Sequence, residues 1–504
     1  WSPVATYYEA HVTIPGKLNI YGTTFVGRPV LTTGFNDRLG WAHTVNYPDL
    51  EEIYALTKDP ERTGYYRFDG GSVPMRSETH TVRVRAESGD DEETRTFWYT
   101  PLGPVVHEDE AHVYVLKSPV WDEYRFYQQW YRLEQAQTFE EFKRVLEMQA
   151  IPMFNVCYAD VEGNIFYLWN GTVPDIPHAR QTSTAVSADG SDDVWTRIHP
   201  LEELPQWFNP RGGYVFNSNS PPYFTTLHEP KAREDFPAHF PDNTLSLRSQ
   251  HSLELIHNDE QFSLEEVVAL KHSMRAVLAD RVKDNLVAAV AADRTANGEV
   301  REAAELLAQW DNTVSRESRG GMLFQRWWDH YSKDTPEAER YAEVWDEERP
   351  IETPRGLADP KRAVEALATA IADLNERYGR WDMAWGDVHR LRFDDGTDLP
   401  LGGADNDLGA FRIIRFREAD DGKLVAYSGD SAVLAVEFSN PPRAFSVLAY
   451  SQSEVLGSPH YSDQAAIFAD NRMTRVAFTE QEIQDALLVE YRPGQEVRKA
   501  AARP

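Results

Sequence analysis

An α+β fold, with strand-rich regions at both ends of the chain and a helical region between them, is predicted from three observations. Short runs of alternating apolar and polar residues, separated by Gly, Asn and Asp, fill the first part of the 504 residues. Apolar residues recur at helical spacing after about residue 261. Alternating runs return after about residue 385. This order predicts a β-rich body at 1–261 and 385–504, interrupted by a helical insertion at 262–384.

Hairpins dominate the first region. Strands are predicted at 7–14, 18–21, 29–33, 41–45 and 53–56. The strands 82–84 and 96–99 flank the polar run ESGDDEET, which is typical of a surface loop. The strands 156–160 and 165–169 form a further hairpin around a short polar turn.

Helices are predicted where a capping signal precedes an apolar face. Thr138 and Glu141 have capping-box spacing at the start of a helix over 138–149. Ser263 and Glu266 give the same signal at the start of the helical region. Helical spacing continues to residue 292 and returns at 306–310, 322–331 and 362–378. The later strands are predicted at 411–416, 424–428, 432–438 and 445–450.

The composition limits the partners that the chain can attract. With 81 acidic and 51 basic residues, its formal net charge is -30, which disfavours binding to nucleic acid or to anionic lipid. The sequence contains no apolar run of about 18 residues, the length that spans a membrane. Cys157 is the single cysteine and lies in an apolar run, so we expect a buried, inert thiol and no internal disulfide.

Motifs for several other chemistries fail on spacing. In the segment 107–112, HEDEAH, the two histidines cannot share a helical face, so a turn is favoured over a zinc site. The segment 429–431, GDS, lacks the closing glycine of a serine-esterase elbow. The glycine pairs at 212–213 and 402–403 lack the lysine or the helical context of a phosphate loop. An ordinary serine esterase and a nucleotide-binding protein are therefore disfavoured.

The most informative segment is GFNDRLGWAHTVN, residues 34–46. It predicts a strand, a tight polar turn and a second strand whose end exposes backbone N–H groups. A distant segment, 217–219, adds the side-chain amides of NSN. Together the two segments are interpreted as halves of an oxyanion hole. No convincing nucleophile accompanies them. Ser2 is the tempting candidate, but it precedes Pro3 and is interpreted as a loop serine.

Seven ordered segments, spread over nearly the whole chain, carry a resemblance to a known family. They are 7–22, 34–46, 126–142, 151–167, 216–220, 384–393 and 450–464. In this order they resemble the penicillin acylase family of N-terminal-nucleophile hydrolases, which includes acyl-homoserine lactone acylases and aculeacin-type acylases. The resemblance implies a four-layer αββα fold with a helical arm. It also implies hydrolysis of a linear amide to a carboxylic acid and an amine, such as homoserine lactone or a β-lactam nucleus.

In this family the nucleophile is the first residue of the mature β subunit. That residue is a serine, whose hydroxyl attacks the amide carbonyl and whose α-amino group is the general base. Trp1 matches a position well inside such a subunit, so the resemblance implies that the serine precedes the present chain. It further implies maturation by autocleavage, a separate α subunit packed on this chain, and export to the periplasm or beyond. No redox or organic cofactor is implied.

The resemblance also gives roles to three positions. Val45 matches the residue whose backbone N–H faces the developing oxyanion, and Asn219 matches the side-chain amide that completes the hole. A tetrahedral intermediate needs two such fixed donors, and losing one typically costs about 3 kcal/mol of barrier stabilisation. Arg248 matches an arginine that orients the asparagine and the amine of the nucleophile, while His43 is interpreted as structural. The alternative interpretations are a core strand residue for Val45, a turn-forming amide for Asn219 and a surface arginine for Arg248.

In this family the acyl group of the substrate occupies an apolar pocket. The positions that match its lining are Phe25, Thr33, Val45, Trp130, Met153 and Phe154. Such side chains suit either a fatty acyl tail or a phenylacetyl ring. Each residue taken singly also fits an ordinary core position.

A structural calcium ion is a further implication. Asp49 and Glu52 match carboxylates that hold this ion in penicillin G acylase-type enzymes, and Glu229 is an additional candidate ligand. Calcium takes six or more oxygen ligands, so two carboxylates supply only part of a site. Acidic residues on a solvated hairpin are the alternative interpretation.

Two other functions remain open. An inactive homologue or a ligand-binding module would retain the acyl pocket without the nucleophile. A serine hydrolase would instead use a serine inside the chain.

Overall fold

The computed structural model describes residues 1, 6–86, 89–178, 184–258 and 261–495, and it mixes helices with strands. The strands are β1 (Tyr7–Ile14), β2 (Leu18–Phe25), β3 (Thr33–Asn36), β4 (Leu39–Thr44), β5 (Glu52–Thr57), β6 (Tyr65–Phe68), β7 (Gly71–Pro74), β8 (Arg76–Ala86), β9 (Gly89–Thr100), β10 (Gly103–Glu108), β11 (His112–Lys117), β12 (Asn155–Asp160), β13 (Ile165–Trp169), β14 (Val186–Ser187), β15 (Gln206–Phe208), β16 (Tyr341–Glu343), β17 (Arg355–Leu357), β18 (His389–Arg392), β19 (Asp398–Pro400), β20 (Ile414–Glu418), β21 (Leu424–Gly429), β22 (Ala432–Glu437), β23 (Arg443–Leu448) and β24 (Thr474–Arg475). The helices are α1 (Phe126–Gln135), α2 (Phe139–Leu146), α3 (Leu247–Ile256), α4 (Leu264–Lys271), α5 (Val277–Ala292), α6 (Gly298–Gln309), α7 (Gly321–Ser332), α8 (Pro360–Tyr378), α9 (Trp385–Val388), α10 (Ala465–Ala469) and α11 (Glu480–Ala486).

The largest sheet within the described residues is antiparallel and has seven strands. They pair in the order β1, β2, β3, β4, β12, β13 and β15. The hairpin of β3 and β4 confirms the prediction from residues 34–46, and the side-chain oxygen of Asn36 closes its turn by accepting from the N–H groups of Arg38 (2.8 Å) and Leu39 (2.9 Å). Gly34 is required because a Cβ there would lie 2.4 Å from the carbonyl oxygen of Tyr21.

Both faces of this sheet are covered. On one face the sheet packs against α1 and α2, in a cluster that includes Trp41, Trp130 and Phe142. On the other face Tyr21 packs against residues of β23 and of the segment that follows β24. β23 belongs to a three-stranded sheet of β22, β23 and β24. The hydroxyl of Tyr21 lies 2.9 Å from Ser446 Oγ on β23, so a buried polar contact joins this sheet to the seven-stranded sheet.

A second core lies among the helices α5, α6, α7 and α8. Trp327 of α7 is fully buried there, and its indole N–H donates to the carbonyl of Ala363 on α8 (2.9 Å). Asp359 caps the start of α8, and Gly379 ends it at φ 74°, a left-handed conformation that glycine adopts without strain. Packing and caps together account for the long helix predicted over 362–378.

A second sheet pairs six described strands in the order β14, β5, β11, β10, β9 and β8. The predicted strands 82–84 and 96–99 both lie in its long β8–β9 hairpin, but 82–84 pair with 91–93 and 96–99 with 76–79. The loop predicted over ESGDDEET, residues 87–94, is therefore wrong for residues 89–94, which belong to β9 and pair with β8. The segment HEDEAH is confirmed as a turn between β10 and β11, where Asp109 accepts from the backbone N–H groups of Ala111 and His112.

Three of the elements that differ from the sequence predictions lie close to the candidate site or its helices. The predicted strand at 29–33 is wrong: most of this segment is a loop, in which Val30 and Leu31 are buried and the Leu31 N–H donates to Glu134 on α1 (2.6 Å). The helix α1 was not predicted, and its first residues have no side-chain cap. The helix α3 was also missed, because Arg248 and other polar residues are buried in it and no amphipathic spacing results.

Two predictions from composition can be compared with the structure. Among the described helices, none combines the length and apolar character that crossing a bilayer requires. Cys157 is half-buried, and burial raises the pKa of its thiol to about 12, so the thiol is protonated at neutral pH.

His389 is one of several buried histidines that are expected to contribute to the pH dependence of stability. Its ring stacks on Trp385 with 3.7 Å between the centroids, and burial lowers its pKa from 6.5 to about 3. The folded state therefore binds fewer protons than the unfolded state, so this group destabilises the fold as pH falls below 6.5. We expect the free energy of unfolding to fall by up to about 1.4 kcal/mol per pH unit from this residue.

Urea unfolding of the His389→Asn variant between pH 7 and pH 4 tests this expectation. The variant should lose this part of the pH slope, whereas His460→Asn, at an exposed position, should retain it. An equal slope in wild type and His389→Asn would contradict the assignment.

Candidate functional site

The structure brings Val45 and Asn219 together. The side-chain Nδ2 of Asn219 donates to the carbonyl oxygen of Val45 at 2.9 Å, although the two residues are far apart in sequence. Val45 directly follows β4 and is 38% exposed, and its backbone N–H makes no hydrogen bond to another described residue. Asn219 is also exposed, and its second Nδ2 hydrogen has no partner among the described residues. Two N–H donors without a partner among the described residues therefore belong to residues that are in direct contact.

The left-handed backbone of Asn219, at φ 65°, positions its side chain. Asparagine tolerates this region far better than most residues do. Its backbone N–H donates to the Oδ1 of Asn217 at 2.7 Å, which fixes the turn locally. Its own Oδ1 accepts from Arg248, so Nδ2 is directed to the opposite side, toward Val45.

Arg248 is the buried cation of the site. It lies on α3 and is 7% exposed, and its Nη2 donates to the carbonyl of Ser218 (2.5 Å) and to Oδ1 of Asn219 (2.8 Å). Its Nε donates to Oδ1 of Asn406 (2.6 Å). Burial lowers the pKa of Arg248 to about 10, and the charge of Asp430 opposes that shift, so the guanidinium is charged at neutral pH. The alternative of a surface arginine is excluded by this burial.

A second asparagine joins the two halves of the site. The side-chain oxygen of Asn217 accepts from Thr44 Oγ1 (2.6 Å), from Asn155 Nδ2 (3.0 Å) and from the Asn219 N–H (2.7 Å). Asn155 is fully buried, and its own Oδ1 accepts from the hydroxyl of Tyr167 (2.6 Å). We call this cluster the Asn217 network; its members are Asn217, Thr44, Asn155 and Tyr167. The network ties the end of β4 to the loop that carries Asn219.

His43 takes a structural position on the α1 side of the site, as the sequence predicted. Its Nδ1 lies 3.1 Å from the carbonyl oxygen of Asn155, and its Nε2 lies 3.2 Å from the indole Nε1 of Trp130. Since the indole can only donate, Nε2 accepts and the proton is on Nδ1. Burial lowers the pKa of His43 to about 4, so the ring is neutral at neutral pH.

Of the residues that match the acyl pocket, Trp130 and Phe154 contact His43. Trp130 is 3% exposed, and Phe154, at φ 92°, places its ring 5.7 Å from that of His43. Phe25 at the end of β2 and Thr33 at the start of β3 are half-buried, as is Met153. The guanidinium of Arg28 lies over the rings of both Phe25 and Trp130, which connects these two positions. The pocket role of these residues stays a prediction.

The candidate calcium ligands lie in different surroundings. Glu52 is buried on β5, with its carboxylate 3.8 Å from His178 Nε2, and Asp49 is half-buried in the loop before it. Glu229 accepts from Arg211 at 2.5 Å. Within the described ranges, no three or more His, Cys, Asp or Glu side chains form a group that could hold a metal ion. The calcium site stays a prediction.

Sequence reasoning missed Thr44, Asn155, Asn406 and Arg28, and it named Asn217 only within the amide segment 217–219. Asn217, Thr44 and Asn155 lie inside the segments that carried the family resemblance, so their polar side chains were visible. No spacing rule brings them together, because the contacts join β4, β12 and a distant loop. Ser2 lies outside the described residues.

Comparisons with known proteins agree with the resemblance. The penicillin amidase family model matches residues 1–485. The acyl-homoserine lactone acylase PvdQ of Pseudomonas fluorescens is 28% identical over 517 aligned residues, covering 96% of this chain and 66% of that protein. Aculeacin-A acylase of Actinoplanes utahensis is 25% identical with the same two coverages, 96% and 66%. The chain thus spans just under two thirds of the length of these relatives.

The similarity extends to a solved structure. A thermostable penicillin G acylase from Alcaligenes faecalis superposes with a TM-score of 0.68 at 19% identity, covering 98% of this chain and 94% of that chain. At this identity the likeness concerns the fold alone. Because the family model matches nearly the whole chain, the chain belongs to the penicillin amidase family.

Proposed function

We propose that this chain is the larger part of an acylase that hydrolyses a linear amide to a carboxylic acid and an amine. One observation carries the proposal: the Asn219 amide, whose orientation Arg248 fixes, contacts Val45, and the backbone N–H of Val45 has no hydrogen-bond partner among the described residues. Membership of the penicillin amidase family and the acylase names of the two relatives described above support it. The fold would then be the four-layer αββα arrangement of N-terminal-nucleophile hydrolases.

The proposed nucleophile is an N-terminal serine supplied by sequence that precedes Trp1. Its α-amino group removes the proton from its own hydroxyl as the oxygen attacks the amide carbonyl. The resulting oxyanion accepts hydrogen bonds from the Val45 N–H and the Asn219 Nδ2. The same amino group then returns the proton to the leaving amine, and water hydrolyses the acyl-enzyme to the acid.

The two donors are held in place before any substrate arrives. Arg248 occupies the Oδ1 of Asn219, so rotation of the amide would break a charge-assisted hydrogen bond. The Asn217 network holds the Asn219 loop against Thr44, the residue before Val45. Preorganised donors of this kind stabilise the charge that develops in the transition state without reorganisation at the moment of reaction.

The leaving amine is homoserine lactone or a β-lactam nucleus in this proposal. The proposal also includes a separate α subunit, cut from the same precursor by autoproteolysis, and a periplasmic or secreted location. No redox or organic cofactor takes part in the chemistry.

The native protein tests this proposal directly. N-terminal sequencing and intact mass should show a chain that begins with serine upstream of Trp1, together with a second, copurifying chain. Incubation with a long-chain acyl-homoserine lactone and with penicillin G should release free amine from at least one of them. A native start at Trp1 with no amine released from either substrate would contradict the proposal and favour an inactive homologue.

Removal of one oxyanion donor should reduce turnover strongly. We expect Asn219→Ala to lower kcat about 10²- to 10³-fold with little change in KM, because the donor acts mainly in the transition state. Asn471→Ala is the matched control, since Asn471 is also left-handed, at φ 57°. Steady-state kinetics that show equal losses in the two variants would indicate a general backbone effect instead.

A structural calcium near Asp49 and Glu52 is part of the proposal and can be measured independently. We expect about one calcium per molecule in the purified protein and a lower Tm after dialysis against a chelator. Asp49→Asn should lose the ion, whereas the exposed Asp122→Asn should keep it. Metal analysis showing no calcium in the wild type would exclude the site.

A further inference from the structure

Every acceptor that Arg248 contacts is electrically neutral. Its Nη2 donates to the carbonyl oxygen of Ser218 and to Oδ1 of Asn219, and its Nε donates to Oδ1 of Asn406 at 2.6 Å. No carboxylate of a described residue lies within 4.0 Å of the guanidinium, although the chain has 81 acidic residues and only 51 basic ones. Buried charges are usually paired with an opposite charge. The charge of Arg248 is therefore held in place without being neutralised at contact distance.

The charged groups around Arg248 leave its positive charge largely in place. Burial lowers the pKa of Arg248 to about 10, the charge of Asp430 opposes this shift and the charge of Arg415 adds to it. The carboxylate of Asp430 is already paired, because its Oδ2 lies 2.6 Å from Nζ of Lys271. The charge of Arg248 is thus available to act on groups in the site.

Asn406 lies in a turn that is packed between α3 and α5. Its carbonyl oxygen accepts from the N–H of Gly409 (3.0 Å), which closes the turn. Gly409 has φ 78°, and a Cβ there would lie 2.8 Å from the Cβ of Leu247 on α3. On the other side, the carbonyl oxygen of Leu408 accepts from the N–H of Leu278 on α5 (3.1 Å). The backbone therefore fixes the Asn406 amide against the helix that carries the buried arginine.

An aspartate at position 406 would have the same shape as asparagine and would be a stronger acceptor. A hydrogen bond between two charged groups is about twice as strong as one between neutral groups, so a carboxylate would anchor Arg248 better. It would also cancel much of the positive potential at the Asn219 amide. The flanking positions, 405 and 407, are both aspartate. Anchoring alone thus does not account for a neutral side chain at 406.

We propose that Asn406 is a positioning residue that holds Arg248 without neutralising it, so that the charge of Arg248 acts on the oxyanion and on the α-amino group that serves as the base. This inference rests on the proposed acylase function and adds a residue to its machinery. A positive charge behind Asn219 stabilises a developing oxyanion. The same charge lowers the pKa of a nearby amine, which keeps the amine unprotonated and able to accept a proton.

The isosteric exchange Asn406→Asp tests the role of charge, because it keeps the acceptor and adds one negative charge. We expect kcat to fall about tenfold, and the pKa on the acidic side of the kcat/KM profile to rise by about one unit, since the amine is then protonated more easily. The measurement uses the complete mature protein and whichever of a long-chain acyl-homoserine lactone and penicillin G it hydrolyses.

Asn297→Asp is the matched control for the added charge. Asn297 caps α6 by accepting from the N–H of Val300 (2.9 Å), a role that aspartate fills equally well. This variant should keep the kcat and the pH profile of wild type. If Asn406 only anchors Arg248, Asn406→Asp should also keep both, and that result would overturn the proposal.

Asn406→Ala provides a second test that does not depend on tolerance of a carboxylate. It removes the acceptor of the Arg248 Nε, so the guanidinium is less well fixed behind Asn219. We expect kcat to fall about tenfold with little change in KM, because the oxyanion forms only in the reaction. A kcat equal to that of wild type would contradict a positioning role.

Calorimetric titration with phenylacetate and with phenylacetamide separates this inference from the acylase proposal. The two ligands have the same shape, but only phenylacetate brings a negative charge to the oxyanion donors. In Asn406→Asp, phenylacetate should bind about tenfold more weakly while phenylacetamide binds as in wild type. This result would support the role of Asn406 even if no amide were hydrolysed, an outcome that would overturn the acylase function alone. No selective loss of phenylacetate binding would overturn the Asn406 proposal.

Discussion

The three hydrogen bonds accepted by the side-chain oxygen of Asn217 are the constraint on which the site depends. They come from β4, from β12 and from the Asn219 loop, so a single atom fixes the relative position of three segments. An amide oxygen with three donors is more fully satisfied than a typical turn residue, and breaking the cluster would strand buried donors such as Asn155. The location of the Val45 and Asn219 donors therefore follows from the packing of the sheet.

Charge in the site differs from charge on the rest of the chain. The formal net charge is -30, yet two titratable groups of the candidate site are the cation Arg248, which contacts Asn219, and the neutral His43. Burying Arg248 has an electrostatic cost, visible in its lowered pKa, which three hydrogen bonds and the nearby Asp430 partly offset. A buried positive charge behind the asparagine also favours the negative charge that would develop on a substrate oxygen.

The sequence predicted the parts of this site that are local. The hairpin at 34–46 follows from the alternation of its strands and from Asn36 at the turn, and both are visible over a few residues. The family resemblance then pointed to Val45, Asn219 and Arg248, which the structure joins through hydrogen bonds. The segment 29–33 was misjudged because Val30 and Leu31 are buried by loop contacts with α1, and burial alone does not make a strand. The Asn217 network has no local signal, since its members meet only when β4 and β12 pair.

The same pairing of β4 with β12 couples the two parts of the candidate site. β4 carries Thr44 toward Asn217 and, on its other face, His43 toward Trp130, because successive side chains of a strand point in opposite directions. The neutral His43 ring bridges the backbone of β12 to the Trp130 indole, and Trp130 in turn supports Arg28. A shift of β4 would therefore move the proposed oxyanion donor and the residues that match the acyl pocket together. Hydrogen bonds hold the strand on both sides, so the fold sets the spacing between these two parts, and in the proposed acylase that spacing would restrict the length of the acyl group.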